Sequence, residues 1–281
     1  MNKFPRTMVG GISMPRMLIG SNWILGYSHT SAAADKQITL RNNNRDAIAE
    51  IIEVFLQYDI DAIMAPIADN PVFMDGIKLA EDRTGKHVIR IDTPILNMDD
   101  NAAARAETLG KIKAVRAAGC EFCLPHHSSV EQLVNKNLAK IPRLPDYLSM
   151  IRDQGLIPGL SAHMPELIVY SDDNGYDVET YIQIFNCMGF LMQVEIEYIS
   201  KVIHSAKKPV MSIKPMAAGR VSPYVGITFS FAALRECDMV TVGCLTPLEA
   251  EEDIEIGFAA LERRMPDLDG RSSPNKTEIM K

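Results

Sequence analysis

The stretches Pro209–Gly219 (PVMSIKPMAAG) and Val240–Asp253 (VTVGCLTPLEAEED) decide how this chain folds. Each begins as a short apolar run of strand-forming residues and ends abruptly in small and polar residues, and a helical pattern follows each. This predicts a strand whose C-terminal end opens into a loop, made twice in succession. In a parallel α/β barrel the loops at these strand ends form the active site, so the two stretches also indicate where the chemistry lies.

The same alternation of strand and helix signals extends back along the chain. Ile48, Ile51, Ile52 and Phe55 recur at helical spacing after the first strand signal and form one apolar face. Eight apolar runs are predicted strands: MLIGSNW, DAIMAP, HVIRIDTPI, EFCLP, LIPGLSA, TYIQIFN, PVMSIKP and MVTVGC. Eight strand–helix units predict an α/β fold of the (β/α)8 type.

The domain organisation follows from length and from the polar end of the chain. The 281 residues suit one barrel domain over residues 1–265, and residues 266–281 are a polar C-terminal tail. A net charge of -7 argues against a nucleic-acid or membrane surface, and no run approaches the ~20 apolar residues of a membrane span. The expected partner is a small-molecule substrate, and a homo-oligomer stays open.

The five cysteines indicate a reducing, cytoplasmic environment, because their number is odd and they are scattered through apolar sequence. Cys120 and Cys123 form a C-x-x-C pair, but a zinc site needs a second pair of ligands at similar spacing, which the sequence lacks. We therefore expect both to be buried structural thiols.

Two segments between predicted elements are long. Tyr27–Asn44 follows the first strand and Ser128–Pro145 follows the fourth. Loops of this length in a compact domain are lids or binding loops in many enzymes, and both segments leave the catalytic end of the barrel. A variable surface insertion is the alternative reading of each.

The span from Phe4 to about Arg263 resembles the aldo-keto reductase superfamily. Its opening, FPRTMVGGISMPRMLIGSNW, resembles the hairpin that closes the bottom of that barrel and runs into its first strand. GLSAHMPE resembles the family's fifth-strand segment, and KPMAAGR and GCLTPLEAEEDI resemble its seventh and eighth strand ends. The resemblance implies a (β/α)8 TIM barrel with an N-terminal β-hairpin, and fold alone does not transfer activity.

The positions that carry catalysis in this family depart from its pattern. The family uses Asp, Tyr, Lys and His, and the Asp and Tyr align with Ile63 and Ala68. The Lys aligns with Thr93-Pro94. Only the His is retained, as His126 or its neighbour. A reductase needs a general acid with a tuned pKa, so we do not expect this family's reductase chemistry.

Ionisable residues stand instead at several predicted strand ends. Asp92 ends strand three, His126 and His127 end strand four, His163 ends strand five and Lys214 ends strand seven, while Glu195 follows strand six. Imidazoles and carboxylates that converge from neighbouring strands bind divalent metals in many barrels. We therefore predict His126, His163, Glu195 and Asp92 as ligands of a divalent metal ion. The predicted catalytic residues are His126, His127, Lys214 and Asp92.

These residues predict a redox-independent, metal-assisted lyase, isomerase or hydrolase acting on a small hydroxylated or carbonyl substrate, sugar-like or keto-acid-like. Three simpler readings stay open. His126 is a substrate-orienting donor without a metal; His163 satisfies a loop backbone; and only one ring of the His-His pair faces the barrel axis if both residues lie on the strand.

The alternative function comes from the resemblance and is an oxidoreductase that binds NADPH. Ser161, Gln183, Asn186 and Arg220 fall near positions that would face a dinucleotide in the family. A third reading is a barrel without catalytic activity, against which the clustered ionisable strand ends speak.

Overall fold

The structure is a computed structural model that describes residues 2–268. It opens with a β-hairpin of strands β1 (Arg6–Val9) and β2 (Ile12–Pro15), paired antiparallel. Gly10 and Gly11 connect them with φ values of 55° and 85°, as a two-residue hairpin turn with positive φ at both positions requires. Apolar side chains of the hairpin pack against the barrel interior, so it closes the N-terminal end of the barrel as predicted.

The remaining strands are parallel and form one sheet that returns on itself. In chain order they are β3 (Met17–Gly20), β4 (Ala62–Ala65), β5 (Ile89–Asp92), β6 (Phe122–Cys123), β7 (Ile157–Pro158), β8 (Leu160–Ala162), β9 (Tyr181–Ile184), β10 (Val210–Ile213) and β11 (Met239–Val242). Their spatial order is β7-β6-β5-β4-β3-β11-β10-β9-β8. Each predicted strand run therefore contains an observed strand of the barrel.

The ring closes through the fifth predicted strand, which the structure divides into β7 and β8 at Gly159. The first piece pairs with β6 and the second with β9, so one run of chain joins both ends of the sheet. A Cβ atom on Gly159 would lie 2.7 Å from the carbonyl oxygen of Thr180. Glycine therefore permits the close backbone approach that completes the barrel, in which β7 and β8 together occupy one of eight strand positions.

Helices surround this barrel and alternate with its strands. They are α1 (Asn22–Leu25), α2 (Ala32–Asn42), α3 (Arg45–Gln57), α4 (Pro71–Thr84), α5 (Ala102–Ala117), α6 (His127–Val130), α7 (Leu144–Asp153), α8 (Glu166–Asn174), α9 (Ile196–Ser205), α10 (Pro223–Ala233) and α11 (Pro247–Glu262). The predicted apolar face forms α3, and the Asn44 side chain caps it by accepting from the Ala47 N–H at 2.8 Å.

Apolar side chains pack in two layers, one on each side of the sheet. Leu18, Ile91, Phe122 and Met211 lie inside the barrel with the hairpin, and a larger cluster fills the space between strands and helices. Successive side chains of a strand point to opposite faces of the sheet. If one residue packs inside the barrel, the residues before and after it therefore point toward the helices. This alternation decides which polar residues reach the mouth of the barrel.

The two long segments contain more helix than the sequence predicts. Most of Tyr27–Asn44 is α2, whose buried residues are only Ile38 and Asn42 and whose exposed residues include Leu40. A helix with so little apolar face leaves no periodic signal. Ser128–Pro145 begins in α6 and a 3-10 turn at Glu131–Leu133 and ends in the first residues of α7, and its residues 134–143 are not helical.

Cys120 and Cys123 are buried free thiols, as predicted. None of the helices between residues 2 and 268 has the length and apolar character needed to cross a lipid bilayer. Of the predicted tail, residues 269–281 lie outside the described part of the chain.

Candidate active site

The His126-His127 pair lies where β6 has already ended. That strand is only two residues long, and α6 begins at His127, so strand alternation does not separate the two rings. The His126 N–H donates to the Pro94 carbonyl at 2.9 Å, which fixes the turn. The ring centroids of His126 and His127 lie 4.2 Å apart. Both imidazoles therefore belong to one cluster.

His163 completes this cluster from the next strand. It directly follows β8, and its ring stacks on that of His127 with centroids 3.6 Å apart and planes 17° from parallel. Imidazoles from two adjacent predicted strand ends thus meet at the C-terminal mouth, where a barrel holds its reacting groups.

Glu131 holds the imidazole cluster in place, although the sequence did not single it out. Its carboxylate accepts the backbone N–H groups of His163 at 2.6 Å and Met164 at 2.8 Å. It also lies 3.5 Å from Nδ1 of His127, one helical turn earlier in the chain. The i, i+4 spacing to a histidine was the available signal, but an acidic residue in a polar segment has many simpler explanations.

Burial keeps two of the imidazoles uncharged at neutral pH. It lowers the pKa of His126 to about 4 and that of His163 to about 3, and the neighbouring His127 and Lys214 act in the same direction. Glu131 opposes these effects without overcoming them. Each neutral ring offers one N–H donor and one nitrogen acceptor. Nδ1 of His126 lies 2.7 Å from the Ser128 hydroxyl.

Lys214 directly follows β10 and lies within electrostatic reach of the same imidazoles. Its backbone is left-handed, with a φ of 62°. Its Nζ atom lies 2.9 Å from Nε2 of His29, and no carboxylate pairs with it among residues 2–268. Burial lowers the pKa of Lys214 from 10.5 to about 8.

His29 joins the site from the segment after the first barrel strand. Its side chain is exposed, and its Nε2 atom lies 3.3 Å from Nδ2 of Asn22 as well as 2.9 Å from Nζ of Lys214. Burial and Lys214 lower the pKa of His29. No sequence signal connects His29 with Lys214, because 185 residues separate them.

Asp92 does not face the imidazoles. Ile91 lies in the barrel interior, so Asp92 points to the opposite side, between strands and helices. Its carboxylate accepts the Ala68 N–H at 2.8 Å and lies 4.0 Å from Sγ of Cys120. Burial raises the pKa of Asp92 to about 7. The carboxylate therefore supports the loop after β4 and is not placed to act as the predicted ligand or catalytic group.

The described residues do not fit the predicted divalent metal. Glu195 is exposed at the start of α9, away from the groups that act on the imidazoles. His127 and His163 cannot share an ion while stacked, because an imidazole ligates in its ring plane and two nearly parallel planes do not meet nearby. Within residues 2–268, no group of three or more His, Cys, Asp or Glu could hold a metal ion.

The four residues that the resemblance assigns to a dinucleotide do not form one surface. Gln183 is fully buried on the face of β9 that packs against the helices. Asn186 is fully buried, and its amide bonds the backbone of its own loop. Ser161 is buried and Arg220 is exposed at the rim. With two of the four turned into the protein, the set does not fit a nicotinamide cofactor.

Comparison with known proteins places the fold. No family model and no curated protein matches the chain. A structure described as an aldo-keto reductase from Pseudomonas aeruginosa aligns with a TM-score of 0.65 and 13% identity over 92% of this chain and 97% of its own. An aldo/keto reductase from Brucella melitensis aligns with a TM-score of 0.57 and 12% identity over 91% and 93%.

A barrel of another enzyme matches almost as well. Octameric ribulose-1,5-bisphosphate carboxylase/oxygenase from Pyrococcus horikoshii OT3 aligns with a TM-score of 0.55 and 10% identity over 92% of this chain and 60% of its own. Likeness at this level of identity is one of fold, and the neighbours support an enzyme without deciding its class. The chain therefore has the aldo-keto-reductase-like (β/α)8 barrel that its sequence predicted.

Proposed function

We propose that this protein is an enzyme that transfers protons on a small carbonyl or hydroxylated substrate, without a redox cofactor. The reaction is an isomerase, lyase or hydrolase reaction on a sugar-like or keto-acid-like compound. One observation carries the proposal: Lys214 lies half-buried at a strand end, beside two neutral imidazoles and without a carboxylate partner among residues 2–268.

Lys214 is the proton-transferring group. An amine with a pKa of about 8 is roughly one-tenth free base at pH 7, which is enough to accept a proton from a substrate carbon or hydroxyl. A lysine that served only to pair a carboxylate would keep its charge. Its place at the C-terminal end of β10 is where barrel enzymes position catalytic side chains.

The imidazoles of His126 and His163 stabilise the charge that develops on the substrate oxygen. A neutral imidazole donates an N–H hydrogen bond without adding a full charge to the site. When Lys214 takes a proton from the carbon next to a carbonyl, the electron pair moves toward the oxygen, which becomes negative. Hydrogen-bond donors that already point at that oxygen lower the activation free energy of the reaction, because they need not reorganise.

The outcome of the step depends on where the proton returns. Where the deprotonated carbon carries a hydroxyl, that hydroxyl's proton passes to the former carbonyl oxygen and the Lys214 ammonium protonates the former carbonyl carbon, which gives an isomer of the substrate. Where the carbon on the other side of the deprotonated one carries a hydroxyl, that hydroxyl leaves as water with the proton from Lys214 and a carbon–carbon double bond forms, which is a lyase reaction. Both balance without an external oxidant or reductant, which is consistent with a site that does not fit a nicotinamide.

Exchange of substrate hydrogen with solvent tests the proposal. The protein is incubated in D₂O with dihydroxyacetone, glyceraldehyde, pyruvate and hydroxypyruvate, and proton NMR follows loss of the signal from the carbon next to the carbonyl. We expect exchange with at least one compound, and we expect Lys214→Met to slow it about 10²–10⁴-fold. The matched control is Lys113→Met, an exposed lysine of α5. Absence of exchange, or equal exchange in the Lys214 variant, contradicts the proposal.

Two additions to this experiment test the alternatives that need a cofactor, the metal-assisted enzyme and the NADPH-dependent oxidoreductase. We expect exchange to survive dialysis against a chelator, and we expect the fluorescence of Trp23 to be unchanged by NADPH. Loss of exchange on chelation that added Mg²⁺ or Zn²⁺ restores would favour the metal-assisted enzyme. Saturable quenching of Trp23 by NADPH would favour the oxidoreductase.

A further inference from the structure

We infer that Arg220, next to the contact of Lys214 with His29, binds an oxyanion, the carboxylate or phosphate group of the substrate. Arg220 holds the anion, and Lys214 stays available to transfer the proton. The inference rests on the proposed function, because it names the chemical class of the substrate that the same mouth would admit.

His29 brings the two cations together. Its Nε2 atom lies 2.9 Å from Nζ of Lys214, and its backbone carbonyl accepts from the guanidinium of Arg220 at 3.4 Å. Burial lowers the pKa of His29, and the charges of Lys214 and Arg220 act in the same direction. Two cations from one loop thus converge on a single residue of another loop.

Lys214 and Arg220 differ from the buried and half-buried cations of the protein that pair with carboxylates. In a chain of net charge -7, Arg152 pairs with Asp177 and Glu179, and Arg235 pairs with Asp238. Neither Lys214 nor Arg220 has a carboxylate partner in the part of the chain that the structure describes. Two adjacent uncompensated cations at a barrel mouth attract an anion from solution.

Asp35 is the acidic group that acts on His29. Oδ1 of Asp35 accepts the backbone N–H of Ser28 at 2.8 Å and the Ser28 hydroxyl at 2.5 Å, so this carboxylate organises the loop that carries His29. It forms no ion pair with Arg220 or Lys214 among residues 2–268.

The guanidinium of Arg220 is held in position for this role. It stacks on the Phe190 ring with its carbon 4.2 Å from the ring centroid, and it donates to the backbone carbonyls of Ala217 and His29. These contacts use two of its five N–H groups, and the others have no acceptor among residues 2–268. A planar guanidinium held on a ring presents the geometry that matches carboxylate and phosphate oxygens.

The backbone of this loop is strained where the cations leave it. Lys214, Ala217 and Ala218 have left-handed φ values of 62°, 48° and 56°, and Gly219 follows at 79°. Residues other than glycine avoid this region, and such outliers cluster at ligand-binding and active sites. The same loop buries Ala217 and lies against Gly226 of α10, so its left-handed residues also serve the packing of the loop on the barrel.

Direct titration with small anions tests the inference without turnover. The full chain is titrated with inorganic phosphate and separately with acetate at constant ionic strength, with calorimetry and the fluorescence of Trp23 as readouts. Trp23 is the single tryptophan, and it lies beside Gly219. We expect saturable binding of phosphate, of acetate or of both, and the anion that binds more tightly identifies the substrate as a phosphate ester or a carboxylic acid.

Variants assign the binding to the proposed residues. Arg220→Gln should weaken binding at least about tenfold, because it removes charge-assisted hydrogen bonds. Arg116→Gln is the matched control, since it changes the same charge at an exposed position at the C-terminal end of α5, and it should not alter binding. No saturable binding of either anion in the wild type, or equal weakening by both substitutions, would overturn the inference.

The two proposals fail in different ways. Anion binding without hydrogen exchange in any compound would leave the oxyanion site standing and remove the proposed function. Exchange of an uncharged carbonyl compound, with no binding of either anion, would remove the oxyanion site and leave the function.

Discussion

Replacement of Lys214 by methionine should make the protein more stable at neutral pH, and the gain should disappear at high pH. Burial lowers the pKa of Lys214 from 10.5 to about 8, so the buried ammonium is disfavoured relative to the unfolded chain. That difference corresponds to about 3 kcal/mol at ~1.36 kcal/mol per pKa unit. Methionine has similar length, carries no proton and meets the same left-handed backbone.

The sign of the pH dependence follows from proton binding. Between pH 8 and pH 10.5 the unfolded chain holds more protons on Lys214 than the folded protein does, so the wild type gains stability as the pH rises. Below pH 8 the full penalty is present. The variant lacks this group, so its advantage should be about 3 kcal/mol at pH 7 and below about 1 kcal/mol above pH 10.

Urea unfolding at pH 7 and pH 10, followed by circular dichroism, measures the two differences. The contact between Lys214 and His29 is lost in the variant. It is charge-assisted at pH 7 and neutral at pH 10, so its loss reduces the gain at both pH values and somewhat more at pH 7, without reversing the trend. Lys113→Met, at an exposed position, should show no such trend. A difference that does not change with pH, or a Lys214 variant that is less stable at pH 7, would refute the reasoning about a desolvated amine.

Four further substitutions test the surrounding structure. Gly226→Ala should destabilise the protein by about 1–3 kcal/mol, because a Cβ there would lie 2.5 Å from the Pro215 carbonyl oxygen. Gly110→Ala should instead stabilise α5 by about 0.5–1 kcal/mol, because its Cβ would have no atom within 4 Å. Thermal unfolding measures both differences. Asp92→Asn should raise the free energy of unfolding by up to about 4 kcal/mol at pH 8 and little at pH 4. The folded-state pKa of Asp92 is raised to about 7, so the wild-type protein loses stability as the pH rises toward and through this value. Urea unfolding at both pH values checks this. Ala218→Gly should stabilise the protein by about 0.5–1 kcal/mol in urea unfolding by relieving the left-handed backbone, and a loss of stability would show that this φ is not strained.

The barrel was predictable because its signals are local. A strand buried on both faces shows as an apolar run, and a run that ends in small and polar residues marks a strand end whatever lies around it. The N-terminal hairpin was expected from the resemblance, and Gly10 and Gly11 supply the positive φ values that its turn needs. The sequence did not predict α2, because a helix with so few buried residues has no periodic apolar pattern.

The site was only partly predictable, because the position of a residue at a strand end does not tell which way its side chain points. His163 and Lys214 lie at the mouth where the sequence placed them, whereas Asp92 points outward, because its place in the alternation of β5 is opposite to that of Ile91. His127 turns toward the mouth only because β6 ends early. That length depends on pairing with neighbouring strands and not on the residues themselves.

Local sequence is enough to predict the architecture and the strand ends that carry imidazole and amine groups, since periodicity and strand termination are properties of neighbouring residues. Which of these groups meet depends on how the whole chain packs. The stack of His163 on His127, the hold of Glu131 on His163 and the contact of Lys214 with His29 join residues from separate loops, in the last case 185 positions apart. Such contacts arise when the ring of strands closes and brings the loops together at one end, and no local pattern records that closure.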